Sequence, residues 1–522
     1  MFDYVIVGAG SAGCVLAARL SEDPGTTVLL LEAGGTDDRR EIHIPAAFSK
    51  LFESDCDWAY RTVPQRHLDN RRLYWPRGRV LGGSASMNAM MWVRGLPDDY
   101  DAWQRAGADG WDHAEAVSYF RRIEDAVRRD PRHQGTGGPV RVEEQRDPNP
   151  GTDLFVAACV AAGIPRNPNA NAATNEGVDY TVVTQRRGAR HSVVDAYLRP
   201  ALRRPNLTVA TRAHVTGVVI GDGPAATGVA YLHRGRRRMV RAVREVVLAG
   251  GAVNSPQLLL LSGIGPAAEL RALGIHPVVD LPGVGRNLRD HLAVGVVAGT
   301  ARSDTLAVAE APREVARYLL ARRGMLTSCV AEAHAFVRSA ADLEHPDLEL
   351  LFAPVPFIDH GRGGPPGHGY TIGAILLQPR SAGTVRLASA DPLAPPLIDP
   401  DYLADPADLD LAVTGLRRAL EIFDSPPLSR VVRGFLVPAA RPRTTAELVA
   451  AARAHAETLY HPVGTCRMGG ADLAVVDPQL RVRGVDRLRV ADAGVMPGLI
   501  RGHTNAPTIM IGEKAADLLR AA

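Results

Sequence analysis

The stretch DYVIVGAGSAGCVLAARL, Asp3 to Leu20, leaves little freedom in how this chain can begin to fold. An aliphatic run reads as a buried strand. Gly8, Gly10 and Gly13 follow in the pattern G-x-G-x-x-G, and Val15, Leu16 and Leu20 then recur at helical spacing. TTVLLLEAGG, Thr26 to Gly35, supplies a second buried strand, so the two segments make the opening β-α-β of a parallel, doubly wound sheet. Gly8 allows the tight turn, Gly10 lets backbone approach a pyrophosphate, and Gly13 permits close packing of the helix. The helix N-terminus then faces the anion. Glu32 ends the second strand about 20 residues on, where a carboxylate can accept from a ribose hydroxyl pair. The fingerprint predicts a bound dinucleotide and serves FAD and NAD alike.

A chain of 522 residues with 46% apolar content is long enough for two to four domains or subdomains. From Leu207 onward the short β-rich runs LTVATRAHVTGVVI, TGVAYL and VREVVLAGG predict an antiparallel meander that returns to the sheet. Ser255 and Pro256 suit an N-cap and first helical position, predicting a short buried helix at Leu258 to Leu261 that Gly263 ends. Thr36 to Trp75 lacks periodicity and predicts a long surface excursion. Between Thr300 and Leu459, helical stretches (PREVARYLLARRG, ADLDLAVTGLRRALEIF) mix with strands (YTIGAILLQP, GTVRLAS), predicting a second, α+β domain.

A net charge of +3, with both signs mixed along the chain, gives no field that argues for nucleic acid, and the basic run Arg234 to Arg244 reads as a solvated hairpin. The five cysteines are far apart with no C-x-x-C pair, which argues against a disulfide framework and structural zinc and for reduced, cytoplasmic thiols. FDYVIVGAG begins at Phe2 as a strand, so no secretory leader is expected, and glycines break the apolar runs short of a membrane span. No metal site is expected.

Four segments in order, GAGSAG (Gly8 to Gly13), GRVLGGSASMNAMMWVRG (Gly78 to Gly95), GAVNSPQLLLLSGIG (Gly251 to Gly265) and LRVADAGVMPGLIRGHTNAPTIMIGEKAADLL (Leu488 to Leu519), together with HPVGTCRMG at His461, resemble the glucose-methanol-choline family of FAD-dependent oxidoreductases. The resemblance runs from end to end, with one mild departure: Ala85 stands where Gly, Ser or Thr is usual. It implies a discontinuous FAD-binding domain over residues 1–155, 204–300 and 474–522, and a substrate domain over 156–203 and 301–473. Gly8, Gly10, Ser11, Ala12 and Gly13 would hold the pyrophosphate, and Glu32 with Ala33 the adenosine ribose. Val215 and Ala249 would line the adenine side, and Val80, Gly83, Ser84, Asn88 and Ala89 would approach the flavin. Asp492 and Ala493 match the second FAD strip, with Asn505, Ala506 and Thr508 near the isoalloxazine. Some members tether the flavin through a histidine where this chain has Met87, so non-covalent FAD is expected.

Oxidising an alcohol requires its hydroxyl proton to leave as hydride goes to flavin N5. Histidine has an ordinary pKa of about 6.5 and suits that task. His461 stands where the family places its active-site histidine, and Asn505 matches the second member of the family's His/Asn or His/His pair. His503 is expected to be exposed or to lie behind the site, and Cys466 to be packing. Glu332 matches a position where choline-oxidising members hold a carboxylate. Phe352, Phe357 and Tyr460 imply an apolar or aromatic pocket. The expected activity is oxidation of a primary alcohol to an aldehyde, with oxygen or a quinone or protein taking the electrons. The alternatives are a choline dehydrogenase or oxidase, and the family's non-redox members, hydroxynitrile lyases and photodecarboxylases. Leu376, Leu377 and Gln378 stand where the photodecarboxylase branch carries its distinctive cysteine.

Overall fold

The strand Phe2–Val7 lies at the centre of the first sheet, parallel to Val28–Leu31 on one side and to the second half of the long strand Arg236–Leu248 on the other. Leu207–Ala210 extends the sheet beyond Val28–Leu31, and Leu488–Val490 beyond Arg236–Leu248, both again parallel. Layers on both faces explain why these strands are continuous aliphatic runs rather than alternating ones. The structure is a computed structural model and describes residues 1–127, 130, 132–221, 223–364, 367–470 and 472–522.

Arg236–Leu248 serves two purposes, and its composition changes where the purpose does. Val246, Val247 and Leu248 are buried in the parallel sheet. The arginine-rich first half is exposed and pairs antiparallel with Ala226–His233, which pairs in turn with Ala213–Ile220. This is the expected meander, with the basic run as its solvated hairpin. The helix Ser11–Leu20 packs on the C-terminal helix Asn505–Arg520 so closely that a Cβ on Gly512 would lie 3.0 Å from Ala12 Cα. Glu513, fully buried on that helix, receives Arg19 at 2.8 Å, Arg122 at 2.5 Å and the Tyr197 hydroxyl at 2.7 Å.

The second sheet is antiparallel, in the order Ala333–Val337, Leu348–Ala353, Gly369–Leu376, Leu292–Thr300 and Val432–Val437, with Glu457–Thr458 paired to the start of Leu292–Thr300. Leu350, Phe352, Ile372, Ala374, Val294 and Val296 face a core shared with the helices Pro150–Ala161 and Pro406–Asp424. Leu292–Thr300 thus belongs to the second sheet, although the sequence reading put residues up to 300 in the first domain.

Two local expectations are corrected. The helix after the meander spans Gly251–Leu261, so Pro256 lies inside it, and Ser255 is not its N-cap: the Ser255 hydroxyl accepts the Gly250 N–H at 3.0 Å and donates to Asp492 Oδ2 at 2.5 Å. Pro256 has no N–H to give Ala252 O, one turn earlier; the Thr465 hydroxyl donates there instead, at 2.6 Å. The excursion Thr36 to Trp75 is not a surface loop: Ile42, Phe48, Leu51, Phe52 and Tyr74 are buried in an apolar cluster with Val80 and Met87. Its apolar residues follow no period because they sit on short turns of helix and two-residue strands.

Candidate active site

Gly8 has a φ of +100°, and a Cβ there would come within 2.5 Å of Ala249 O. Gly13 is constrained as strictly, its Cβ falling 1.9 Å from Gly8 O, whereas Gly10 has nothing within 4 Å. The turn is closed behind and open in front. No side chain caps the helix it leads into, so the first N–H groups are available to an anion. Glu32 accepts the Ala9 N–H at 2.9 Å on one oxygen and the Gly34 N–H at 2.8 Å on the other. Burial pushes this carboxyl up to about 7, against the opposing pull of those two donors. Each oxygen keeps a lone pair for a hydroxyl.

A cavity of about 450 Å³ runs from this turn to His461. Of the residues expected around FAD, Gly8, Gly10, Ser11, Ala12, Glu32, Ala33, Gly83, Ser84, Asn88, Ala89, Val215, Ala249, Asp492, Ala493, Asn505 and Thr508 line it, as do Phe357 and Tyr460. Gly13, Val80, Ala506 and Glu332 do not. Gly13 serves the packing of helix on turn. Val80 is 1% exposed within the apolar cluster beneath the loop, and Ala506 is equally buried in the first turn of its helix. Glu332 points into the second domain's interior, taking the Asn149 N–H and the Thr152 hydroxyl at 2.6 Å and the Ser328 hydroxyl at 2.5 Å. Phe352 touches the cavity wall, but its ring stacks on Phe155 at 4.7 Å in the core. Strand parity is the reason: Leu351 and Ala353 face the cavity, and the residue between them faces the helices.

His461 is held by its backbone. Its N–H donates at 2.7 Å to Asp290, a buried carboxylate that also accepts the Thr458 and Tyr402 hydroxyls. Tyr460, just before it, has a φ of +69°, a strained conformation for an aromatic residue. Arg77 donates to its carbonyl at 2.6 Å, Thr458 Oγ1 accepts its N–H at 2.8 Å, and its hydroxyl meets His360 Nδ1 at 2.7 Å.

The protonation of the His461 ring follows from its neighbour. His291 Nε2 lies 3.0 Å from Leu377 O, which can only accept, so Nε2 carries the proton. Burial pulls His291 down to about 4, so the ring is neutral and its Nδ1 is an acceptor. His461 Nδ1 lies 2.9 Å from that atom and must be the donor. The lone pair of His461 is therefore on Nε2. Burial, then His503 and His291, hold His461 well below the usual histidine range, which keeps the ring neutral.

His503 is neither exposed nor remote. It is 6% exposed, lines the cavity, and its ring centre is 5.0 Å from that of His461. Asn505 Oδ1 accepts the Ser11 hydroxyl at 2.7 Å, which leaves the amide NH₂ as its free donor. Cys466 is fully buried, and burial pushes its thiol far above the ordinary value. Asp359, His360 and Glu457 have potential metal-ligating atoms within 4.8 Å of one another, but His360 Nδ1 is already engaged by Tyr460. The sequence reading missed His291, Asp290, the cavity position of His503, and Glu349 behind it. Asp290 and His291 form an ordinary dipeptide 170 residues before His461, and nothing in spacing marks them.

The first part of the cavity fits a flavin dinucleotide: an open glycine turn for the pyrophosphate, a buried carboxylate with spare lone pairs for a ribose, and an extended wall of small residues beyond. Two family models described as GMC oxidoreductase match residues 2–293 and 379–512. The chain belongs to the GMC oxidoreductase family. It is 53% identical to an uncharacterized GMC-type oxidoreductase of Mycobacterium tuberculosis, across 99% of both chains. It is 45% identical to an alcohol dehydrogenase [acceptor] of Pseudomonas putida, over 99% of this chain and 96% of that one. Its structure superposes on pyridoxine 4-oxidase from Mesorbium loti with a TM-score of 0.92 at 32% identity, covering both chains completely. This GMC oxidoreductase is thus a flavoprotein, an FAD-dependent oxidoreductase acting on CH–OH donors. Among the described residues no helix is long and apolar enough to cross a membrane.

Proposed function

We propose that the enzyme oxidises a neutral primary alcohol, benzylic, allylic or medium aliphatic, to its aldehyde. The glycine turn and Glu32 would hold FAD, which would supply its N5 as the acceptor for the α-carbon hydride. His461 Nε2 takes the hydroxyl proton, and the Asn505 amide donates to the same oxygen and orients it. The observation that carries this reading is the His461–His291 contact, which leaves an unprotonated nitrogen on a neutral ring in the cavity wall. Phe357, Tyr460, Leu351 and Ile375 support an apolar substrate, and the carboxylate expected against a choline headgroup, Glu332, is not on the cavity. We assign discontinuous FAD-binding and substrate domains, with the middle boundary moved to just before Leu292 and the first moved to just before the helix Pro150–Ala161, which shares its core with the second sheet. The five cysteines, all buried and free, support a cytoplasmic location.

Steady-state assays test the substrate: benzyl alcohol should give a higher kcat/KM than choline, and oxygen compared with an artificial acceptor identifies the electron acceptor class. Anaerobic stopped flow tests the chemical step. His461→Ala should keep FAD but be reduced roughly 10²–10⁴-fold more slowly, the usual cost of losing a general base. Asn505→Ala should show a smaller defect of the same kind. Wild-type reduction of His461→Ala would exclude it as the base. FAD is proposed to be non-covalent, because Met87 lines the cavity and a thioether offers no comparable linkage. Acid precipitation should release the yellow colour into the supernatant; flavin in the pellet would refute the assignment.

A further inference from the structure

The second sheet forms one wall of the cavity, and its alternate residues face inward in cross-strand rows. Ile375 and Ala293 make one row, Leu351, Gly373 and Gly295 the next, and Thr371 and Val297 the third. The middle row thus sets two glycines side by side, between rows that carry side chains. The backbone does not require them, since neither has a φ in the left-handed region. Packing does not require them either. Beyond its chain neighbours, a Cβ on Gly295 would meet nothing closer than Ile372 O at 3.6 Å, and one on Gly373 nothing closer than Ile375 Cδ1 at 3.9 Å, both ordinary contacts. The same two strands carry a second glycine pair, Gly369 and Gly299, away from the cavity lining, and there packing does decide: a Cβ on Gly369 would fall 2.7 Å from Ala298 O, and one on Gly299 3.2 Å from Arg433 O.

A glycine inside a strand weakens it, and such a residue marks a place where something else comes close. What Gly295 and Gly373 supply is space, a hollow two strands wide in the cavity wall. The strand that carries Gly295 begins directly after His291, whose ring touches His461, so Gly295 stands about 13 Å along the strand from that histidine. None of the residues expected around FAD lies on this sheet, which leaves the hollow to the substrate. We propose that Gly295 and Gly373 determine which alcohols the enzyme takes: the hollow receives the carbon tail of the substrate, so that unbranched primary alcohols long enough to reach it are preferred over short ones. This rests on the oxidation of primary alcohols at His461 given above. Each further methylene of the tail leaves water for the apolar surface of Leu351, Val297 and Ile375, while the hydroxyl stays at His461.

In the FAD-loaded wild-type enzyme, kcat/KM for 1-octanol should exceed that for 1-butanol by about tenfold or more. Gly295→Val and Gly373→Val each fill the hollow with a branched side chain, and each should lower that octanol-to-butanol ratio by about tenfold or more. Flavin content, read from its absorbance, should stay full, and Tm should be no lower than wild type, because a β-branched residue suits a strand. Gly369→Ala is the comparison: its Cβ meets backbone away from the cavity, so it should lower Tm and keep the ratio. An unchanged ratio in either valine variant at full flavin content would overturn the proposal, as would a wild-type enzyme that does not prefer the longer alcohol. A ratio that falls only together with flavin content would mean that the glycines face the cofactor, and would overturn it equally. If a valine variant does not fold, Gly295→Ala/Gly373→Ala puts two methyl groups into the same space; the ratio should then fall several-fold, and a wild-type ratio there would count against the proposal in the same way. Failure of the underlying reading would look different: no primary alcohol of any length would reduce the wild-type flavin.

Discussion

Glu32 illustrates how one side chain serves two opposed requirements. Its pKa is raised in the folded chain to about 7, so the protonated form is bound more tightly folded than unfolded. Its contribution is fully present below the ordinary carboxyl value and is lost as pH rises through about 7, a difference of about 3 kcal/mol between the two limits. The FAD-free Glu32→Gln protein should therefore be more stable than wild type above pH 7 and should show a flatter dependence between pH 4.5 and 7 in urea unfolding. It should nevertheless hold FAD one to two decades more weakly, because the charged acceptor for the ribose is gone. A variant retaining full flavin on dilution would exclude Glu32 as the ribose ligand. At this scale the sequence was legible where a motif marks a residue that the fold brings to the cavity, as at Gly8, Glu32 and His461. It was not legible where a partner comes from a distant strand, as with His291 and Glu349, because side chains without a local pattern carry no mark of what they will meet.

Among the elements, the helix Gly251–Leu261 shows what a proline costs and how the cost is met. Pro256 leaves the buried Ala252 carbonyl without its helical donor, and Thr465, more than 200 residues away, supplies a hydroxyl. Thr465→Val keeps the volume but removes that donor, and should lower stability by about 1 to 3 kcal/mol, the penalty for an unpaired buried polar group. Thr465→Ser should recover most of it, measured as the urea midpoint. Reading Pro256 as a helix start was sound from local rules and failed because the compensating hydroxyl is remote. Phe352 reaches the cavity wall with its ring turned to the helices, because LELLFA is apolar almost throughout and the sequence does not tell which alternate set faces the helices and which the cavity. The strands themselves and the long helices were legible, since their length and period exceed what turns or loops can mimic.

Across the whole molecule, the first and last helices are joined through Glu513. A fully buried carboxylate receiving two arginines and a tyrosine is expensive to break, because the partners stay behind without it. Glu513→Gln should cost about 3 to 5 kcal/mol, visible as a lower Tm of both the FAD-free and FAD-loaded protein, while flavin reduction by alcohol in the surviving enzyme stays near wild type. The discontinuous order of the two sheets was legible only through the family resemblance; single-strand patterns do not state which strands will be neighbours. That order also sets a schedule for synthesis. The edge offered by Val246, Val247 and Leu248 is closed by Leu488–Val490, roughly 240 residues later, which a ribosome moving at ~5–20 residues per second makes only after about 10 to 50 s. Throughout that interval the nascent chain carries an apolar strand edge with no neighbour, and the sheet started by its first residues is completed only when some of its last ones emerge.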